Sequence, residues 1–283
     1  MSPTIGSAVS QGAQELQQAH VPEPRREAGS LLAHRLGCDR SFVIAHADDQ
    51  LPTAEFDAFQ SLVKRRAMGE PLQYITGHQE FFKLDFEVTP DVLIPRPETE
   101  LIIEIALELL RNERAPYFAD IGTGSGCIAI SLLHELPEAR AVALDVSPAA
   151  LGVAQRNASR HEVEDRLDLV ESDLFSAIEP DASFRLIVSN PPYVSVDELE
   201  MIQREVSYEP RTALAAGSDG LAVLRRLVDE ARPFLQSGGY FVFEIGFGQD
   251  QAVKRLIDQR IWKLIDVRAD LQKIPRAFVL QAK

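Results

Sequence analysis

Asp120-Ile121-Gly122-Thr123-Gly124-Ser125-Gly126 closes a short apolar run, Tyr117 to Ile121, and leads into the apolar stretch Ile128 to Leu136. The pattern reads strand, tight turn, helix. Glycine recurs there for a physical reason. Side chains would keep a ligand off the backbone, and positive φ comes cheaply only to glycine. Gly122, Thr123, Gly124, Ser125 and Gly126 are therefore candidate ligand-binding residues at the carboxyl end of a strand, where open α/β sheets take their ligands. A dinucleotide fingerprint would put its third glycine at position 127, which is Cys127. That disfavours a nicotinamide dehydrogenase and leaves Cys127 as a small buried residue opening the helix. Glycine turns also occur where a helix merely packs close to a strand, so the turn carries weight only in company with the other strand ends.

Outward from the turn, the unit repeats. Ala141 to Leu144 is an apolar strand ending in Asp145, about twenty residues beyond the glycines, where a carboxylate can accept both hydroxyls of a ribose. The alternatives are that Asp145 caps the helix starting near Pro148, or that Ser147 does so and Asp145 is idle. A third strand, Leu167 to Val170, leads to Asp173 and Leu174. There a carboxylate can hold an adenine amino group while Leu174 and Phe175 pack the ring. A fourth strand, Leu186 to Val188, delivers Asn190-Pro191-Pro192-Tyr193. Proline fixes its own φ and pushes the preceding residue into extended geometry, so this loop is stiff. A carboxamide at 190, free prolyl carbonyls and the flat ring of Tyr193 together suit a planar –NH2 group. A strand that simply ends in a proline turn is the plainer alternative.

Upstream, Ile94-Pro95-Arg96-Pro97-Glu98-Thr99-Glu100 precedes a helical apolar stripe, Leu101, Ile102, Ile105 and Leu109. Either Pro97 merely starts that helix, with Glu98 and Glu100 complementing its dipole, or the prolyl segment lines one wall of the site with Arg96 near a cofactor carboxylate. Downstream, the polar stretch from Val194 to Ser218 is long enough for a lid or substrate-facing insertion. A helix over Leu221 to Leu235 and a turn at Gly238-Gly239 lead to a strand, Tyr240 to Ile245. Glu244 in it is either a site carboxylate or the strand's solvated end. Trp262 to Val267 and Ala277 to Leu280 suit an antiparallel hairpin closing the sheet edge. Seven strands so arranged indicate a methyltransferase-type Rossmann variant.

The front of the chain differs. From Glu15 to about Met68 apolar residues recur at helical spacing, with Thr53 placed as an N-cap, and no catalytic cluster is visible. This reads as a small helical bundle over 1–78, followed by a hairpin or linker over 79–98 and the main domain over 99–283. The chain has 283 residues, 45% of them hydrophobic, and a formal net charge of -14. That charge is the opposite of the basic footprint of a phosphate-backbone binder, so no direct nucleic-acid binding is expected. No apolar stretch approaches the roughly 18 to 20 residues that span a bilayer, and the first residues lack a signal-peptide pattern, so no membrane association is expected. Cys38 and Cys127 make no ligand-spaced pair. Neither a disulfide framework nor a metal site is expected, and a cytoplasmic protein is.

The glycine turn, the Ile94-to-Glu100 segment and Asn190-Pro191-Pro192-Tyr193 together resemble the HemK-type (PrmC) family of release-factor glutamine methyltransferases. Glu70-Pro71, Tyr74-Ile75-Thr76-Gly77 and Tyr208-Glu209-Pro210-Arg211-Thr212-Ala213-Leu214 extend the resemblance over nearly the whole chain. One departure is Lys273, where the family usually has glycine. The resemblance implies a class I S-adenosylmethionine-dependent methyltransferase fold, a Rossmann-like seven-stranded sheet with a small N-terminal helical domain. It implies transfer of a methyl group from S-adenosyl-L-methionine, leaving S-adenosyl-L-homocysteine, to the amide nitrogen of the glutamine in the Gly-Gly-Gln motif of class I peptide chain release factors. Gly122 to Gly126 would approach the methionine part, Asp145 the ribose, and Asp173 and Leu174 the adenine. Asn190, also beside the cofactor, and the Pro191 carbonyl would hold the target amide, with Pro192 stiffening the loop and Tyr193 packing against the amide. An adenine-N6 DNA methyltransferase is the rival enzyme, since an exocyclic amine is also planar and conjugated. A non-catalytic module docking on translation factors is the other.

Overall fold

The glycine turn lies where the sequence puts it, at the end of a central strand. A computed structural model describes residues 2–180, 184–199 and 204–283. The chain divides into two compact units, Met1–His78 with Gln203–Tyr208, and Gln79–Ile202 with Glu209–Lys283.

The first unit is helical: α1 (Ile5–Gln18), α2 (Pro24–Leu36), α3 (Arg40–Ala45), α4 (Thr53–Ala67) and α5 (Leu72–Thr76). Leu16, Leu31, Leu32, Phe59 and Val63 are fully buried at its centre. The helical pattern begins ten residues or so earlier than Glu15, because α1 starts at Ile5 with the Thr4 side chain accepting from the Ser7 amide. Its buried face mixes Ile5, Val9 and Leu16 with the small residues Ala8 and Gly12, which thin out the apolar stripe. Thr53 is the first helical residue and not the cap, a position held by Pro52, which brings no side-chain oxygen. Arg66 is 2% exposed and bonds both Glu27 and Glu205, so residues 204–208 are tied to these helices. Two carboxylates around one buried guanidinium keep it from being an uncompensated charge.

In the second unit a hairpin, β1 (His78–Phe81) and β2 (Leu84–Glu87), turns through Phe82 and Lys83, both at positive φ. Phe81 and Phe86 anchor it in the core, and Asn157 bonds Glu87 through both its amide and its carbonyl. Then follow α6 (Glu100–Leu110), β3 (Tyr117–Ile121), α7 (Cys127–Glu135), β4 (Arg140–Asp145), α8 (Pro148–Arg160), β5 (Leu167–Glu171) and β6 (Phe184–Ser189). After short α9 (Val196–Leu199) and α10 (Arg211–Leu214) come α11 (Ala222–Glu230), β7 (Leu235–Glu244), α12 (Asp250–Leu256), β8 (Trp262–Ala269) and β9 (Pro275–Ala282).

The sheet has seven strands in the order β5-β4-β3-β6-β7-β9-β8. β3 to β7 are parallel, and β9 inserts antiparallel between β7 and the edge strand β8. Parallel strands need crossover helices, so both faces are covered and the strands read as continuous apolar runs. One face packs α6, α7 and α8 through Ile103, Ile130 and Ala158; the other packs α11 and α12 through Leu227 and Val253. Helix α11 is shorter than the stretch Leu221 to Leu235. It stops at Glu230 because Pro233 sets a 3-10 turn over Arg232–Phe234, and the chain is already a strand at Leu235. Gly238, at φ 73, therefore sits in an irregularity of β7, where the register against β6 shifts, and not in a separating turn. Of the polar stretch Val194 to Ser218, residues 200–203 lie outside the described residues. Its start and end are held together, since the Val194 amide donates to Leu214 and the Ala216 amide to Val194.

Candidate active site

The carboxyl ends of β3, β4, β5 and β6 surround one cavity. Gly122, Thr123, Gly124, Ser125, Asp145, Asp173, Leu174, Asn190, Pro191 and Pro192 all line it, and so do Pro95, Arg96 and Thr99 from the prolyl segment. Strand register explains the convergence. Ile121 is level with Leu144 and with Ser189, so the glycine turn, Asp145 and Asn190 leave the sheet at one height.

Gly122 and Gly124 have φ of 74° and 56°, and a Cβ on either would project into open space. The backbone of the turn is thus bared toward the cavity. Gly126 is different: a Cβ there would lie 2.7 Å from the Ile130 side chain, so this glycine allows α7 to begin and does not line the cavity. Beneath the turn, Asp120 is fully buried. Its Oδ2 accepts from the Thr123 hydroxyl at 2.7 Å and the Ala129 amide at 3.2 Å, while Oδ1 has no partner among the described residues. Burial pushes its carboxyl up to about 7, against the hydrogen bonds from Thr123 and Ala129. Cys127 is a free, buried thiol at the start of α7, and burial first, then Asp120, pushes it up to about 12. It stays protonated at neutral pH, which removes it as a nucleophile.

Asp145 is neither idle nor the helix cap. Ser147 caps α8 by accepting from Ala150, while Asp145 Oδ2 accepts from the Gly124 amide at 2.8 Å and Oδ1 from the Ser147 amide at 2.9 Å. Burial nevertheless raises its carboxyl above the ordinary value. A carboxylate has roughly four acceptor positions, so two remain for a ligand's hydroxyls. The bared glycine backbone and this carboxylate fit an adenosyl amino acid, which carries a ribose and an α-amino group. Asp173 is exposed and paired with Arg226 of α11, at 2.9 and 3.2 Å; Leu174 is half-buried at φ 52°. Arg96 lines the cavity with its guanidinium committed to the buried carboxylate of Glu209.

Sequence reasoning left Glu244 open and overlooked Thr99. Both are 2% exposed. The Thr99 hydroxyl donates to Glu244 Oε2 at 2.7 Å, and Asn190 Nδ2 donates to Thr99 Oγ1 at 2.9 Å. Tyr193 does not line the cavity; its hydroxyl points to Glu244 Oε1 at 3.4 Å. Burial first, with Glu98 adding to it, pushes Glu244 up to about 7, opposed by Thr99, Arg276 and Tyr193. Gln249 also went unnoticed. Its Nε2 donates to the carbonyls of Tyr193 and Gly220, and its Oε1 accepts from the Gly246 amide. The signal for Thr99 was its place in the prolyl segment, where the neighbouring glutamates drew the explanation.

Family models match the chain in two places, the PrmC N-terminal domain over residues 7–77 and the methyltransferase small domain over 103–217. The release factor glutamine methyltransferase of Koribacter versatilis is 43% identical over 277 residues, covering 98% of this chain and 98% of that one. Others of the same name match at 40% to 48% identity. Among solved structures, the hMettl16 catalytic domain in complex with an RNA hairpin aligns with a TM-score of 0.57 at 18% identity, over 77% of this chain and 81% of that one. A Thermus thermophilus 16S rRNA methyltransferase solved with S-adenosylmethionine and guanosine aligns with a TM-score of 0.50 at 19% identity, over 73% and 49%. These likenesses show the class I methyltransferase fold. At 43% identity over 98% of both lengths, this chain belongs to the release factor glutamine methyltransferase family.

Proposed function

We propose that this protein uses S-adenosylmethionine to methylate the side-chain amide nitrogen of the Gly-Gly-Gln glutamine of class I peptide chain release factors. The observation that carries this reading is the amide of Asn190, which lines the cavity and whose nitrogen donates to Thr99, so that its oxygen would be the atom left to accept. An amide nitrogen is a poor nucleophile, because its lone pair is delocalised into the carbonyl. Its two N–H groups are good donors, and two fixed acceptors, Asn190 Oδ1 and the Pro191 carbonyl, would aim the nitrogen at the methyl group. Orientation of this kind can be worth about 7 to 11 kcal/mol of barrier. Bound S-adenosylmethionine supplies an electrophilic methyl on a positively charged sulfur, so the chain needs no metal and no strong base before transfer.

In this reading Gly122, Thr123, Gly124 and Ser125 face the methionine part, with Gly126 starting the helix behind them. Asp145 takes the ribose hydroxyls, and Asp173 and Leu174 flank the adenine. Arg226 restrains Asp173, so its backbone and Leu174 carry more of the adenine contact than its carboxylate does. Pro192 holds the loop stiff. Tyr193, turned toward Glu244, supports the loop from behind instead of packing on the amide. The family relationship favours the amide over an adenine base of DNA, and the net charge of -14 works against binding a phosphate backbone. Release factors act at ribosomes, so the work belongs to the cytoplasm.

The test is to incubate the protein with methyl-labelled S-adenosylmethionine and, separately, a release factor, the same factor with its Gly-Gly-Gln glutamine changed to alanine, and duplex DNA. Label should appear on the first alone. Equal labelling of the altered factor, or labelling of DNA, would overturn the reading.

A further inference from the structure

A threonine hydroxyl carries one proton, and that fact sets the direction of a chain of hydrogen bonds running into the site. Glu244 ends β7, and its carboxylate accepts the Thr99 proton at 2.7 Å. With its only proton so directed, Thr99 can meet Asn190 only as an acceptor, and the group 2.9 Å away must therefore be the Asn190 –NH2. A carboxamide turned this way presents its oxygen on the opposite side. We propose that Thr99 and Glu244 are positioning residues for methyl transfer: together they fix which end of the Asn190 amide faces the acceptor nitrogen. The proposal rests on the functional reading above, and neither residue need touch the glutamine.

The groups around Glu244 make this orientation sensitive to its charge. Tyr193 on the proline loop, Arg276 on β9 and Glu98 before α6 all act on it, and Cys127 on α7 feels its charge. As a carboxylate it accepts from both Thr99 and Tyr193. Once protonated it can donate to Thr99, whose own proton then turns toward Asn190. Asn190 would answer by presenting its oxygen to Thr99 and its –NH2 to the cavity, setting donor against donor at the acceptor amide. The buried carboxyl titrates at about 7, so the productive arrangement fills as pH rises through that value and empties below it.

Two readouts test this. In the first, kcat and KM are measured with labelled S-adenosylmethionine and a full-length release factor. Thr99→Val keeps the shape and removes the hydroxyl; it should lower kcat about a hundredfold, a loss typical of a misaligned reacting group, with the KM for S-adenosylmethionine unchanged. Thr99→Ser should restore kcat, and Glu244→Gln should remove the acid limb of the pH profile. In the second, the side-chain 15N signals of Asn190, identified by their loss in Asn190→Ala, are followed with pH in the absence of any acceptor. They should titrate near neutrality in the wild type and stay flat in Glu244→Gln. A kcat in Thr99→Val close to wild type, a loss that Thr99→Ser fails to restore, or Asn190 signals that do not move would each overturn the relay. Should the wild type leave the release factor unlabelled, the functional reading fails, and the Asn190 signals still decide the relay.

Discussion

Gln249 Nε2 lies 3.0 Å from the Tyr193 carbonyl and 3.2 Å from that of Gly220, so a single amide ties the proline loop to the segment ahead of α11. A Cβ at position 220 would come within 2.6 Å of the Tyr193 oxygen, and φ there is +69, which only glycine accepts without strain. The loop is thus held by packing as well as by its prolines. Gln249→Ala removes three hydrogen bonds, each worth about 1 kcal/mol. We expect a protein that still folds, shows a modest fall in melting temperature, and transfers methyl groups tenfold or so more slowly. Circular dichroism melting and a turnover assay check both parts.

Asn190→Ala should abolish methyl transfer and leave S-adenosylmethionine binding largely in place, because the glycine turn and Asp145 are intact. Calorimetric titration of the cofactor alongside the labelled assay separates the two. Near-normal turnover in this variant would remove the proposed grip on the amide.

Asp120 makes stability depend on pH with a definite sign. Its carboxyl is raised from 3.8 to about 7 in the fold. A raised pKa means that the folded state binds the proton more tightly, so the stabilisation is complete below the unfolded value and is lost as pH rises toward 7. Asp120→Asn removes this dependence. The stability of the wild type relative to the variant should therefore fall between about pH 4 and 7, by at most about 1.4 kcal/mol per pH unit. Urea unfolding of both proteins across that window measures it, and a constant difference would contradict the burial of an ionisable group there.

Lys273 adopts φ +64 in a turn closed by its amide on the Asp270 carbonyl and by the Asp270 amide on Ile274. The turn is closed with left-handed strain on a lysine, at a φ that glycine adopts without strain. Lys273→Gly should stabilise the protein by about 1 kcal/mol, seen as a higher urea midpoint with unchanged slope.

Much of the site was legible because its parts are local. A glycine turn, a carboxylate and a proline loop each declare themselves within a few residues, and parallel strands carry them to one edge of the sheet. What was not legible depends on distance along the chain. Thr99 and Glu244 are 145 residues apart in sequence, and nothing in either neighbourhood announces the other. Local sterics hid the rest: Pro233 shortened α11, the Phe82-Lys83 turn reverses the chain without a glycine, and α1 begins in small residues that leave a weak stripe.

The direction of the Asn190 amide also bears on chemical ageing. Glutamine side chains slowly hydrolyse to glutamate, a group of nearly the same shape. The proposed acceptor pair of Asn190 Oδ1 and a prolyl carbonyl would reward the two N–H groups of an intact amide, whereas a carboxylate in their place would bring only lone pairs against lone pairs, with Glu244 adding negative charge behind Thr99. Acceptor facing acceptor in a confined site costs far more than a lost methylene does. On the proposed reading, a release factor whose target glutamine has become glutamate should therefore be passed over, although it would otherwise fit.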